Sequence, residues 1–419
     1  MNFRARIASR LLPFAVLLQF LLFSYFLLRT MIRQPFIDML AWLVSYLYFK
    51  DHGGLGAYLW GFHNEHRLVW MRLLTIADVE WFHVSGFPFI VAGTASLMAA
   101  AAMAGTFIRR LSHSHAVWLA PMLILTSANA VDCSIPIDTV YPIAVFFLTA
   151  SIVLFESETT WHRAAALPIA ASAAFGNGAG LAIWPILVWV SWRQRTSRTW
   201  TMLVASCGVL FIGVYTHGSP STTPLAAALG SDLFVPDNIL KLANYALAFL
   251  GLPFSRAPAL ATAGRAIGLA FLAAGVFAFV RVTLIERANT KLNRFAVALI
   301  LFTIGSAAMV AISRAHLDPD VRVPVRYAVM VAPLHVGLLG LVIQHIRYRT
   351  SIGIAGALLA MQIVIGMAAI RVSNEMRQAI SAYYQGNRDP EVTRYVFTDP
   401  ASAELLTSII RDRGLLGTR

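Results

Sequence analysis

The chain has 419 residues, of which 58% are hydrophobic and 13% charged, and its formal net charge is +13. A mean hydropathy of +0.68 excludes an ordinary soluble globular protein. Alternating short strands are missing from the pattern, which excludes a β-barrel, so the expected fold class is an all-α polytopic membrane protein. The basic excess gathers in short segments between apolar runs. That is the orientation signal of membrane insertion, and it points to membrane lipids rather than nucleic acid as the partner. Two cysteines, Cys133 and Cys207, make neither a disulfide framework nor a Cys-rich metal site.

In chain order, Arg4, Arg6 and Arg10 precede an apolar run over Leu11–Leu28 that ends at Arg29 without a small-residue cleavage site. The run is long for a signal h-region and reads as an uncleaved signal anchor. Segment 30–86 follows. Within it Phe36, Met39, Leu40, Leu43 and Leu47 recur at helical spacing. The stretch 36–49 is too short to span and too apolar for water, which predicts an interfacial helix stopped by Asp51-His52-Gly53-Gly54. The polar string His63-Asn64-Glu65-His66-Arg67 comes next, and 68–74 predicts a second interfacial helix.

Further spans are predicted at about 87–107, 116–128, 139–155, 164–176, 178–191, 200–216, 260–280, 295–313, 325–345 and 351–371. With 11–29 they make about eleven, in a range of nine to twelve. The pair around Phe175-Gly176-Asn177-Gly178 is either one broken helix or two short ones. Segment 238–254 is apolar as well. As a full crossing it would carry the basic loop Arg281–Arg294 to the outer side, so it is expected as an interfacial or re-entrant helix. Basic groups at Arg109/Arg110, Arg193/Arg195/Arg198, Arg281–Arg294 and Arg347/Arg349 put those loops and the N-terminus in the cytoplasm.

The outer side then receives 30–86, 129–138, 217–259, 314–324 and a polar tail over 372–419, expected in the periplasm of a bacterial inner-membrane protein. The expected organisation is a membrane domain over 1–371 plus that tail, whose apolar stretch Ala403–Ile410 suggests a small amphipathic cap over the outer loops. No internal repeat is evident, which counts against an inverted-repeat transporter.

Chemistry concentrates in two outer segments. In the first, Glu65 beside His63, Asn64, His66 and Arg67 offers a carboxylate and cations in one place, and Asp38 at the start of the first interfacial helix can reach the same cavity. Transfer of a sugar to a hydroxyl needs a carboxylate to take the proton and cations to stabilise the leaving phosphate. The bland alternative for Glu65 is an ion pair with Arg67 or His66 that holds the loop. The spacing of His63 and His66 is not that of a zinc protease, and no third ligand lies near, so no metal is predicted. In the second segment, Arg322 and Arg326 bracket Pro324, followed by Tyr327, with His316 and Asp318 upstream. Guanidiniums at the bilayer boundary suit a lipid-phosphate headgroup, and interfacial anchoring is the competing role. Asp132 and Asp138, expected in the outer loop 129–138, are further candidates for lining the cavity. Asn177 reads as a helix break whose amide satisfies freed backbone groups. Trp60, Trp70 and Trp81 are candidates for sugar stacking or interface anchoring.

One span, a large outer loop with two interfacial helices and an early acidic residue, and then many spans: this order, with the string Asn64-Glu65-His66-Arg67 and the late Arg326-Tyr327, resembles the GT-C superfamily of polytopic membrane glycosyltransferases. The resemblance implies an inverting transferase that takes a sugar from a polyprenyl-phosphate donor to a glycan, lipid or lipid-linked acceptor on the outer face. It implies a catalytic Asp or Glu in the first outer loop, here Asp38 or Glu65, and a lipid-linked sugar as donor substrate; some members of the superfamily hold a divalent ion with Asp or Glu, which is not predicted here. The paired acidic residues of the better-known branches are missing, which leaves both open as the base. A polysaccharide polymerase or ligase with a lipid-diphosphate donor, and a lipid or oligosaccharide flippase, are the alternatives.

Overall fold

The computed structural model describes residues 3–63, 66–195, 197–219, 235–252, 254, 260–314, 323–397 and 399–415. Among these the chain is helical throughout, and its only β-type pairing is an isolated bridge between His63 and His66. Among the described residues, eight helical segments are long and apolar enough to cross a membrane, which gives the chain the build of a polytopic membrane protein.

The first of them lies in α1 (Phe3–Thr30). The expected interfacial helix is α2 (Asp38–His52), and it buries Met39, Leu40, Leu43 and Leu47, the stripe read from the sequence. Gly53 and Gly54, both at positive φ, stop it. A short α3 (Leu55–Trp60) precedes the His63–Arg67 string, and α4 (Val69–Phe82) extends the second predicted interfacial helix by two turns. Asp78 at the end of α4 accepts from the backbone N–H groups of Ser85 and Gly86 at 3.1 Å, which fixes the start of α5 (Phe87–Leu111).

The structure differs from the sequence reading at 116–138. A 3-10 turn, α6 (Leu119–Ile124) and α7 (Ser127–Ser134) together run His115–Ser134, so 129–138 is no open loop. All of α7 and the turn Pro136–Thr139 are buried. The helix breaks at Leu125–Thr126 and restarts because the side chains make their own caps: Thr126 accepts from Asn129 N–H at 3.2 Å, and Asn129 Nδ2 donates to Ile124 O at 2.7 Å.

After α8 (Val140–Phe155), the glycine-rich break resolves into two short helices of opposite direction, α9 (Thr160–Ala174) and α10 (Ile183–Arg193). Phe175 O receives Trp70 N–H at one end of the bundle, while Arg193 reaches Val282 O at the other. Then come α11 (Arg198–Thr216), α12 (Pro236–Leu250), α13 (Ala261–Leu284), α14 (Lys291–Arg314) and α15 (Ala328–Val342). The first two turns of α12 are exposed, while its last turn buries Ala248, Phe249 and Leu250 against α13 and α14. Gly268 on α13 lies against the Leu247 backbone of α12, and Gly251 at the end of α12 lies against the Gly264 backbone of α13, so closely that a side chain at either would collide. At 15, 11 and 15 residues, α9, α10 and α15 are shorter than a full crossing.

The basic segments gather at one end of the bundle. There Arg294 binds Glu156 bidentately at 2.8 Å, Lys291 pairs with Glu158 at 2.6 Å, and Asn289 donates to Arg193 O. The opposite end carries α2–α4. The tail joins that end, and it does not begin at 372: α16 (Tyr348–Tyr384) is one unbroken helix of 37 residues. It runs parallel to α1, with Phe26 packed on Gly366 and Arg377 donating to Arg29 O. Beyond it, α17 (Pro390–Thr393) packs on the end of α16, and α18 (Pro400–Asp412) closes over α2. In α18 Ala403, Thr407 and Ile410 are buried, as an amphipathic cap requires.

Candidate functional site

A cavity of about 200 Å³ opens at the end of the bundle away from the basic loops. Asp38, His63, His66, Asp138, Arg326 and Tyr327 line it. They come from α2, the loop after α3, the turn before α8 and the turn before α15, so four separate stretches of chain meet here.

Asp38 occupies the first turn of α2. Its Oδ1 lies 3.7 Å from His63 Nε2, ion-pairing reach but longer than a hydrogen bond. Burial works to raise the Asp38 pKa. The His63 contact and the charges of His63, Arg326 and Arg314 more than offset it, so the carboxyl is held below its usual range. Asp38 is therefore ionised at neutral pH, and 42% of its side chain is exposed.

The loop is held by its own backbone and by two arginines. His63 and His66 exchange both backbone hydrogen bonds, at 2.8 and 3.0 Å. His63 packs edge-on against Trp42, with ring centroids 5.9 Å apart. Arg67 does not line the cavity, contrary to the phosphate-holding role expected for it. Its guanidinium donates to Tyr215 O at 2.7 Å and to the carbonyls of Trp60 and His217, and lies over the rings of Trp60 and Phe62. Its donors are spent on docking the loop to the end of α11. Arg72 does the same from α4, donating to Gly61 O at 2.7 Å, to Phe62 O at 3.2 Å and to Tyr58 O. Sequence reasoning missed Arg72, although a lone guanidinium inside the apolar run 68–74 was a signal.

Across the cavity, Arg326 sits above Tyr327 with its guanidinium 5.9 Å from the ring centre. Its charge acts on both Asp38 and Asp138. Its Nε is buried and has no hydrogen-bond partner, and the same holds for His63 Nε2. Tyr141, which packs edge-on to Tyr327 at 5.3 Å and was not singled out from the sequence, also lines the cavity, as does Arg314 at the end of α14, the first residue of the outer segment 314–324. Asp138 is buried and faces the cavity, whereas Asp132 is buried on α7 and does not line it.

Asn177 takes the role read for it. Its Oδ1 accepts from Ala179 N–H at 2.9 Å and caps the turn Gly178–Ala182. Gly178 has a tighter requirement: a Cβ there would lie 2.6 Å from His66 Nδ1. Trp70 stacks on Phe147 and donates to Ser172 O, Trp60 packs on Arg67, and Trp81 is exposed, so none of the three lines the cavity. Asn64, Glu65, His316, Asp318 and Arg322 lie outside the described residues.

Chemically, the site joins an ionised carboxylate to two buried nitrogens with unspent hydrogen-bonding capacity. It can hold an anionic oxygen against Arg326 and His63 while Asp38 accepts a proton beside it. No group of three or more His, Cys, Asp or Glu suited to a metal ion occurs among the described residues. Comparison of the chain with family models, with curated proteins and with solved structures finds no match.

Proposed function

We propose that the chain is a GT-C-like glycosyltransferase of a bacterial inner membrane, with about eleven crossings, α9, α10 and α15 among them, and its cavity on the periplasmic side. It moves a sugar from a polyprenyl-phosphate donor to a glycan, lipid or lipid-linked acceptor. The acceptor hydroxyl attacks the anomeric carbon, its proton passes to Asp38, the bond from that carbon to the phosphate oxygen breaks, and the configuration inverts. Arg326 and His63 stabilise the charge that develops on the departing phosphate. The observation that carries this reading is the pairing of ionised Asp38 with the unpartnered Arg326 Nε across one cavity at the end of a membrane bundle. That end also lies opposite the basic loops, as the positive-inside bias requires of an outward-facing site.

The test is mass spectrometry of surface glycans and lipid-linked saccharides from cells lacking the protein, complemented with wild type, Asp38→Asn or Arg326→Ala. One sugar missing from the deletion strain, restored by wild type and by neither variant, is the expected result. Full restoration by both variants ends the proposal. A second reading, polymerase or ligase, draws on the number of basic side chains facing the cavity: Arg314, Arg326, His63 and His66 suit two phosphates. The same spectra separate the two, because the unused donor accumulates as a lipid monophosphate sugar or as a lipid diphosphate saccharide.

A further inference from the structure

A second cavity, of about 260 Å³, lies inside the bundle, between the α6–α7 break, α13, α15 and α16. Its walls are apolar: Leu123, Phe254, Phe271, Leu338, Leu358 and Met361. Four polar side chains interrupt them: Thr126 and Asn129, which are engaged in the caps of the α6–α7 break, and two that keep an unpartnered atom. His335, midway along α15, packs edge-on to Phe271 at 5.3 Å, and its Nε2 is buried with no partner. Gln362, midway along α16, is fully buried. Its Oε1 accepts the Ser127 N–H, which fixes the amide with Nε2 as a donor, and that Nε2 too has no partner. No Asp, Glu, Lys or Arg is among the described residues that line this cavity.

Buried unpaired donors are costly, more so at membrane depth where no bulk water reaches them. A mostly apolar chamber whose lining includes two side chains with an unpartnered polar atom has the make-up of a small-molecule site. The missing charge excludes a phosphate headgroup, because an anion there would be left uncompensated. On α16, Leu358, Met361 and Ile365 at the rim are half-buried and adjoin Ile363, Val364 and Met367, which are exposed on the apolar outer surface. The wall is thus continuous with the lipid-facing side.

We propose that this cavity binds an uncharged lipid. One oxygen of that lipid accepts from Gln362 Nε2 and hydrogen-bonds His335 Nε2, and its chain fills the apolar walls. The site is separate from the anion-holding cavity and does not depend on the transferase reading.

The experiment uses the full chain in lipid nanodiscs with two photoactivatable probes, a diacylglycerol and a phosphatidylglycerol carrying the same acyl-chain diazirine. Labelled peptides are mapped by mass spectrometry in wild type, Ala332→Phe, which fills the cavity, and His335→Phe, which keeps the ring and removes the nitrogen. The diacylglycerol should label α15 and α16 around the cavity at least tenfold more than the charged probe. Labelling should vanish in Ala332→Phe and fall about fivefold in His335→Phe, the loss of one hydrogen bond. If Ala332→Phe does not fold, His335→Phe decides alone. Equal labelling by both probes, no labelling of these helices, or wild-type labelling of folded His335→Phe overturns the proposal.

Discussion

Ile37 donates its backbone N–H to the carbonyl oxygen of Val396 at 2.6 Å, which ties the residue before Asp38 to the C-terminal segment. Ile37 has φ of 47°, a conformation that a β-branched residue resists at a cost of about 1–3 kcal/mol. Tyr384 donates to Pro35 O at 2.7 Å and Arg413 pairs with Asp51, so the tail grips α2 at both ends.

Removing residues 385–419 should therefore impair the proposed transfer without preventing membrane insertion. Val396 and Ile410 are fully buried, and losing their burial costs about 3–6 kcal/mol at about 1.5–3 kcal/mol each. The tail's role in placing α2 predicts partial rescue by Ile37→Gly in the shortened chain, since glycine takes positive φ without strain. The complementation assay, with membrane abundance measured alongside, reads both. Wild-type glycans from the shortened chain would show that Asp38 keeps its place without the tail.

Asp38→Asn should lower transfer by about 10²–10⁴-fold, the usual contribution of a positioned base. The sign of the pH dependence follows from its depressed pKa. Asp38 is the active, ionised form above its pKa, so activity is retained at neutral pH and lost only as pH falls below the ordinary carboxylate range. His63→Ala removes the contact and charge that lower that pKa, and should move the acid limb to higher pH. A pH–rate profile in detergent checks the direction, and an unmoved limb would mean that His63 does not tune Asp38.

How much of this was legible depended on whether the signal was local. The α2 stripe and the Gly53-Gly54 stop are short-range patterns, and the sequence reading found both. The α7 helix was missed because Ser127, Asn129, Asp132 and Ser134 look like a loop. The polarity of two of them is satisfied inside the bundle: the Asn129 N–H donates to Thr126, the Asn129 amide to Ile124 O, and Thr30 donates to Ser134 at 2.8 Å. Arg67 was placed correctly near the site but given the wrong partners, since its carbonyl acceptors at Tyr215 and His217 lie far away in sequence with no periodic signal to announce them. Arg326 and Asp138 were each picked out for their polarity at a span end. That they share one cavity with Asp38 is a tertiary fact.

Asp78 should make stability depend on pH in the opposite sense from Asp38. Burial pushes its pKa up to about 6, against the bonds from Gly86 and Ser85 that lower it. A raised folded-state pKa stabilises below the unfolded value, and that contribution is lost as pH rises through about 6. The thermal midpoint should thus fall between about pH 4 and pH 6 in wild type. Asp78→Asn keeps an acceptor for the Gly86 N–H and should flatten this slope, whereas Asp78→Ala loses the cap at about 1–2 kcal/mol across the range. Melting curves of the purified protein from pH 4 to 8 read all three, and a slope unchanged in Asp78→Asn would assign the dependence to another group.

Gly178→Ala should disturb the cavity through a single contact. The new methyl would sit 2.6 Å from His66 Nδ1, so the imidazole must move, at a cost of about 1–3 kcal/mol. Because the His66 backbone is fixed to His63, the ring is the part that yields, and it yields away from its place in the cavity wall. The expected result is loss of the missing-sugar complementation with normal membrane abundance. A double-mutant cycle isolates the cause: once His66→Ala has removed the ring, adding Gly178→Ala should cost nothing further. Full additivity of the two substitutions would show instead that Gly178 acts on the backbone turn that Asn177 caps.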